Sequence, residues 1–194
     1  MNRGYLVVIS SPSGGGKTSI IQYILRKYPD QYVYSISATT REKRPGEIEG
    51  TDYFFLTEKQ FSDYIAKNLL LEWEEVHGYL YGTPRDYIEK CIDEGKFVLI
   101  DIDVNGALEV ARRFPDKTIT IFVLPPSVDE LIRRLKNRKT DSVEEIDKRV
   151  QRIPMEIKKS KQFDYIVINY QLEKTAEQVV NIINNHLEKM NNSV

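Results

Sequence analysis

The stretch Tyr5–Ile21, YLVVISSPSGGGKTSII, decides how the rest of the chain is read. Tyr5–Ile9 is a short unbroken apolar run, the pattern of a strand buried on both faces. Ser11 to Thr18 follow as SPSGGGKT. Beyond them Ile20, Ile21, Ile24, Leu25 and Tyr28 recur at helical spacing. Strand, glycine-rich loop and helix in that order are the context of a P-loop.

A phosphate chain needs several N–H donors converging on one point. Side chains with a Cβ hold the backbone too far away, so glycines line the turn. The helix that follows adds the partial positive charge of its N-terminus. On this reading Ser11, Pro12, Ser13, Gly14, Gly15, Gly16, Lys17, Thr18 and Ser19 cradle a phosphate chain. Lys17 reaches the β- and γ-phosphates, and the Thr18 hydroxyl binds Mg²⁺. The usual pattern opens with Gly, and here that position is Ser11. The bland alternative is a flexible glycine turn with an incidental lysine. It does not account for the strand before the loop and the amphipathic helix after it.

The bulk properties fit a soluble globular protein. The 194 residues allow one large domain or one domain with a small insertion. Hydrophobic residues make up 41% and charged residues 29%, an ordinary balance. The net charge of −1 supplies no general basic field for nucleic acid, so anion binding must come from local clusters. The single cysteine, Cys91, has no internal disulfide partner and is expected to pack in a helix. No signal peptide is visible, and Tyr5–Ile9 is too short for a membrane span. These features point to a cytoplasmic protein with no membrane partner.

Working outward, Pro29 stops the first helix and Tyr32–Ser37 alternates as a second strand. Thr39–Gly50 (TTREKRPGEIEG) is polar and turn-rich, with no room for a core. It reads as a solvated loop or as a phosphate clamp, since Arg41 and Arg44 can present forked donors to one phosphate. Thr51–Thr57 is a short strand, and a helix spans about Glu58–Asn68. Leu69–Val76 carries Glu72 in an apolar run, where it either faces solvent or accepts N–H donors from a base. Tyr79 and Tyr81 follow a glycine turn, with hairpin packing and ligand contact both open.

Asp86–Glu94 is the next helix, closed by Gly95. Phe97–Ile102 is another buried run with Asp101 and Asp103 at its end. A P-loop enzyme places its magnesium carboxylate there; the alternative is a cap for a helix over Asn105–Phe114. Thr118–Leu124 is a strand broken by Pro125-Pro126, and Ser127 can cap a helix over Val128–Asn137. After a break at Lys139–Ser142 a basic helix runs to about Gln162, with Pro154 expected to kink it or delay its start. Arginines on both sides of the break are either solvated, as is usual on a helix, or form a lid over transferring phosphates. Phe163–Ile168 is the last strand and Lys174–Met190 the last helix. The two histidines, His77 and His186, make no site together and are assigned to structure. Apolar strands alternating with helices predict an α/β, three-layer P-loop fold with a central parallel sheet. Ligands bind beyond the C-terminal ends of such strands.

Several separate matches then converge. They are Ser13-Gly14 through Lys17, Ser37 with Thr39-Thr40-Arg41, Arg44-Pro45-Gly46-Glu47, Gly50 with Asp52-Tyr53, Leu71-Glu72-Trp73 and Tyr81-Gly82-Thr83. Leu99 through Asp103 with Gly106 and Pro125-Pro126-Ser127 with Leu131, Arg134-Leu135 and Arg138 complete the set. The chain resembles guanylate kinase of the bacterial type over about Arg3 to Leu187.

The resemblance implies transfer of a phosphoryl group from MgATP to GMP, and by extension dGMP, giving ADP and GDP. It implies a core (1–36 and 96–194), a mixed α/β GMP-binding insertion (37–95) and a helical lid (about 134–155), in a monomer or homodimer. By position Arg41, Arg44, Tyr53 and Tyr81 hold the GMP phosphate. Ser37, Glu72, Thr83 and Asp103 lie near the guanine. Asp101 acts at the magnesium with Thr18. Lys17, Arg41, Arg134, Arg138 and Arg149 supply charge for transfer, and Asn169 lies near the adenine. A carboxylate such as Glu72 accepts from guanine N1–H and the 2-amino group together, a donor pair adenine does not offer.

The departures from the family pattern are Ser11, Lys139 after Arg138, Ile153-Pro154 and Tyr170-Gln171. Two rival functions are a non-catalytic guanylate-kinase-like binding module and a P-loop kinase for another small acceptor. Retention of Lys17, Thr18, Arg41 and both aspartates opposes the first, and the Glu72 constellation opposes the second.

Overall fold

The first strand, β1 (Tyr5–Ser10), lies in the middle of a five-stranded parallel sheet. Its neighbours are β7 (Phe97–Asp101) and β8 (Thr118–Leu124). The outer strands are β2 (Tyr32–Tyr34), beside β7, and β9 (Tyr165–Ile168), beside β8. The computed structural model describes residues 4–76, 78–136 and 143–191.

The apolar runs are continuous because both faces of this sheet are covered. Val7 and Ile9 pack with Ile20 and Ile24 of α1 (Lys17–Lys27) and Val179 and Ile183 of α7 (Leu172–Asn191). Leu6 and Val8 point the other way. They meet Ile88 and Cys91 of α3 (Arg85–Asp93), and Ala107 and Val110 of α4 (Val104–Arg113). The alternation of one strand thus feeds two cores and gives the predicted three-layer α/β architecture. Cys91 is buried in the second core.

A second, mixed sheet of four strands runs in the order β4 (Tyr53–Phe55), β3 (Ser37–Thr39), β6 (Tyr79–Pro84) and β5 (Leu70–Val76). The helix α2 (Glu58–Ala66) closes its small core through Phe61, beside Ala38 and Leu70. Thr57 caps this helix reciprocally with Gln60. Arg113 of α4 donates to the Leu71 carbonyl at 2.9 Å, fastening β5 to the main body.

One expectation is corrected. Tyr32–Ser37 is not one strand. β2 ends at Tyr34, the Ser35 amide still donates to the Leu99 carbonyl at 2.9 Å, and β3 starts at Ser37 in the other sheet. The chain changes sheets where β7 is about to end. Pro154, expected to kink the basic helix or delay its start, stands inside it. That helix, α6, runs over Val143–Ser160. Its neighbour Ile153 is only 2% exposed, so burial of the helix's apolar face holds it through the missing N–H donor.

The helix α5 (Val128–Lys136) is capped by Ser127, whose Oγ accepts from the Glu130 amide at 3.1 Å. Arg138, Lys139 and the break to Ser142 lie outside the described residues, as does His77. His186 meets the Tyr165 hydroxyl at 2.9 Å, a structural contact on α7. Among the described residues no helix is long and apolar enough to cross a membrane.

Candidate active site

The loop between β1 and α1 folds back on itself at Pro12. Its carbonyl accepts from the Gly15 amide at 2.9 Å and from the Ser11 hydroxyl at 3.0 Å. Ser11 is therefore accommodated at the position where the usual pattern has glycine, with its buried hydroxyl satisfied inside the turn. Gly16 precedes α1 with φ of 95°, a left-handed conformation that a side chain resists. A Cβ on Gly16 would also stand 2.6 Å from Nδ2 of Asn169, which donates to the Gly15 carbonyl at 3.1 Å. No side chain caps α1, and no acidic residue sits in its first turn. The first-turn N–H groups and the positive end of the helix face the cleft, which suits an anion.

Lys17, Thr18 and Asp101 converge beside this loop. Lys17 Nζ lies 3.0 Å from Asp101 Oδ1, and the Thr18 hydroxyl donates to Asp101 Oδ2 at 2.8 Å. Asp101 ends β7, the strand next to β1, so parallel pairing fixes this contact. A hydroxyl and a carboxylate at one point form a hard-oxygen donor pair suited to Mg²⁺. Among the described residues no cluster of three acidic or histidine side chains could hold a metal alone. The pair fits an ion that takes its remaining ligands from phosphates and water. From α6, Arg149 donates to the Ser13 hydroxyl at 2.6 Å.

Across the cleft stands the second sheet. Arg41 is buried; it donates to Glu47 Oε1 and to the Glu42 carbonyl, each at 2.6 Å. Its guanidinium lies 5.3 Å from the centre of the Tyr53 ring, and Tyr53 meets Tyr81 edge-on. The Arg44 amide donates to the other Glu47 oxygen at 2.7 Å. Glu47 thus sets the arginine loop from within, an arrangement not foreseen from the sequence. The Arg44 side chain lines the cleft.

Glu72 lies deeper and is 3% exposed. The Thr83 hydroxyl donates to its Oε1 at 2.5 Å. Burial pushes the Glu72 carboxyl up to about 7, against the pull of that hydrogen bond. A Cβ on Gly106 would stand 2.9 Å from Glu72 Oε2, so the glycine near the start of α4 leaves room for the carboxylate. Asp103 caps α4, with Oδ1 accepting from the amides of Asn105 and Gly106 at 3.1 and 2.9 Å. It therefore performs the capping role and also faces the cleft, so the two readings of this residue are not exclusive.

These groups bound one cleft of about 320 Å³. Ser11, Ser13, Gly14, Gly16, Lys17, Thr18, Ser19, Asp101 and Arg149 line one side. Ser37, Arg41, Arg44, Tyr53, Glu72, Tyr81 and Asp103 line the other. Pro12, Gly15 and Thr83 support the walls from behind.

The family model for guanylate kinase matches residues 3–186. The chain belongs to the guanylate kinase family. The guanylate kinase of Thermotoga maritima is 44% identical over 188 residues, covering 97% of this chain and 90% of that protein. The Zymomonas mobilis guanylate kinase is 45% identical over 181 residues, covering 93% and 83%. A crystal structure of guanylate kinase from Anaplasma phagocytophilum superposes with a TM-score of 0.78 at 31% identity, covering 96% of this chain and 87% of that one.

In this guanylate kinase chain the expected residues do not all share the main cleft. Arg134 and Asn169 lie on a second groove of about 350 Å³, with Tyr170, Leu172 and the backs of Gly14, Gly16 and Ser19. Arg134 donates to Glu130 at 2.8 Å. Glu74 and Arg152 also line the main guanylate kinase cleft and were not selected from the sequence. A period of two from Glu72 puts Glu74 on the same strand face, and a step of three from Arg149 puts Arg152 on the same helix face. Those spacings are the signals that could have found them.

Proposed function

We propose that this protein transfers the γ-phosphoryl group of ATP to GMP, giving ADP and GDP, and that it accepts dGMP as well. The observation that carries the reading is the buried Glu72 carboxylate on one wall of a cleft whose other wall is the P-loop. A carboxylate there selects guanine by accepting from N1–H and the 2-amino group. The joined Lys17, Thr18 and Asp101 support catalysis over a binding-only module.

We read residues 37–95 as the acceptor-binding insertion, 1–36 and 96–194 as the core, and about 134–155 as the lid. The P-loop amides and Lys17 hold the donor phosphates. Arg41, Arg44, Tyr53 and Tyr81 hold the acceptor phosphate, with Arg41 fixed by Glu47. Ser37, Glu72, Thr83 and Asp103 place the base, and Asn169 borders the donor's adenine. In-line placement of two phosphates and stabilisation of charge on the moving group account for the rate, with no protein nucleophile. Arg41, Arg134, Arg138 and Arg149 supply that charge. Thr18 and Asp101 would hold Mg²⁺, which when bound neutralises the donor phosphates. Its single cysteine, without an internal disulfide partner, supports a cytoplasmic enzyme, which we read as a monomer or homodimer.

The test is ADP release in a coupled assay with MgATP and GMP, AMP, CMP or UMP in turn. Fast turnover with GMP alone is expected. Turnover with another acceptor instead would discard the guanine assignment.

A further inference from the structure

Guanine presents three N–H hydrogens on one edge, one on N1 and two on the 2-amino nitrogen. The two carboxylates assigned to that edge are already partly engaged. Glu72 Oε1 receives the Thr83 hydroxyl. Asp103 Oδ1 receives the Asn105 and Gly106 amides, and its Oδ2 receives Arg152 at 3.2 Å. Glu72 can still take N1–H and one amino hydrogen, while neither Asp103 oxygen is free of other donors for the second.

A third carboxylate stands beside them. Glu74 lies two residues beyond Glu72 on β5, so both side chains point to the cleft while Trp73 and Glu75 point to solvent. Asn105 Nδ2 donates to Glu74 Oε1 at 2.6 Å and fixes the carboxylate, while Lys159 of α6 donates to the Asn105 oxygen from behind. Glu74 Oε2 is buried and has no hydrogen-bond partner among the described residues. The Asp103 carboxylate faces Glu74. Ionised, neither of these two groups can donate to the other. Burial and that facing carboxylate hold the Glu74 carboxyl up at about 7. A buried acceptor without a donor is costly, and a ligand N–H at this point removes the cost.

We propose that Glu74 is a specificity-determining residue that accepts the second hydrogen of the 2-amino group of the acceptor base. This rests on GMP being the acceptor. Glu72 takes N1–H and one hydrogen of that amino group, and Glu74 takes the other, beside Asp103, whose two oxygens already receive the α4 amides and Arg152. IMP, which keeps N1–H and lacks the amino group, therefore measures the Glu74 contact by difference.

The experiment compares kcat/KM for GMP and IMP at pH 8, where the carboxylates are ionised. It uses the wild-type chain, Glu74→Gln, Glu74→Ala, Asp103→Asn and the double variants. The ratio of GMP to IMP is expected to fall about tenfold in both Glu74 variants, the worth of one hydrogen bond to a charged acceptor. The same fall is expected in the Asp103→Asn background, with the KM for ATP as the check on folding. Equal losses for GMP and IMP would make Glu74 merely structural and overturn the proposal. An effect that vanishes once Asp103 is replaced would overturn it too, since Glu74 would then act only through Asp103. Failure of the wild-type chain to phosphorylate GMP would instead remove the underlying reading, a separate result seen before any variant is made.

Discussion

Thr18 on the phosphate loop and Asp101 at the end of β7 are joined by a 2.8 Å hydrogen bond across 83 residues of sequence. Lys17 closes the same triangle from the neighbouring position at 3.0 Å. The contact needs β1 and β7 paired in register, with Ile9 opposite Asp101. Sheet pairing therefore sets the geometry of this triangle directly.

Replacing either partner of the Lys17–Asp101 pair should separate turnover from folding. Lys17→Ala is expected to lower kcat by about a hundredfold or more, as loss of a charge aimed at the transferring group does. Asp101→Asn should lower kcat and raise the magnesium concentration needed for half-maximal rate. Both are read from steady-state kinetics beside a circular dichroism spectrum that stays as in the wild-type chain. Wild-type turnover in Lys17→Ala would take that residue out of the mechanism.

Glu72→Gln replaces one acceptor with an amide that can repel a guanine N–H. The KM for GMP is expected to rise by about tenfold or more, while the KM for ATP stays as it was. A change confined to ATP would refute the assignment of Glu72 to the base.

The same carboxyl makes acceptor binding depend on pH. Burial holds it at about 7 in the folded chain against an ordinary value of 4.5. The fold thus favours the protonated form. Below pH 4.5 this has no effect on stability, between 4.5 and 7 stability falls, and above 7 the cost is complete. Glu74 acts in the same direction. Guanine needs the ionised form of Glu72, so the KM for GMP should fall as pH rises from 6 to 8. The rise in melting temperature on adding GMP should be larger at pH 8 than at pH 5.5. Equal shifts at the two pH values would exclude this linkage.

Gly106→Ala tests the close approach at α4. In an exposed helix interior this change stabilises by about 1 kcal/mol. Here the added Cβ meets Glu72 Oε2 at 2.9 Å. The KM for GMP should rise several-fold with no gain in melting temperature. A stabilised enzyme with unchanged KM would show that Glu72 does not need the space.

The parts legible in the sequence were those with a local cause. Tyr5–Ile9, Phe97–Ile102 and Thr118–Leu124 announce themselves as strands because both of their faces are buried. The phosphate loop announces itself through Gly16 and Lys17. The passage from Tyr34 to Ser37 does not reveal its break, because alternation continues while the chain leaves one sheet for another. Glu47 escaped notice because a polar loop gives no sign of which carboxylate will turn inward to Arg41. Glu74 and Arg152 have meaning only where β5, α4 and α6 meet. Pro154 marks a missing N–H donor inside the basic helix, and only the structure shows that the buried Ile153 beside it holds the helix there.

The placement of β1 has a consequence for how the enzyme is made. Of the strands in its sheet it is made first, yet its two partners begin at Phe97 and Thr118. The loop that follows it is braced by Asn169, near the other end of the chain. The nascent N-terminal half cannot complete its own nucleotide pocket. Growing chains halted before residue 169 should therefore remain protease-sensitive in ATP, and those extended beyond α7 should be protected, so that competence for nucleotide arrives late in synthesis.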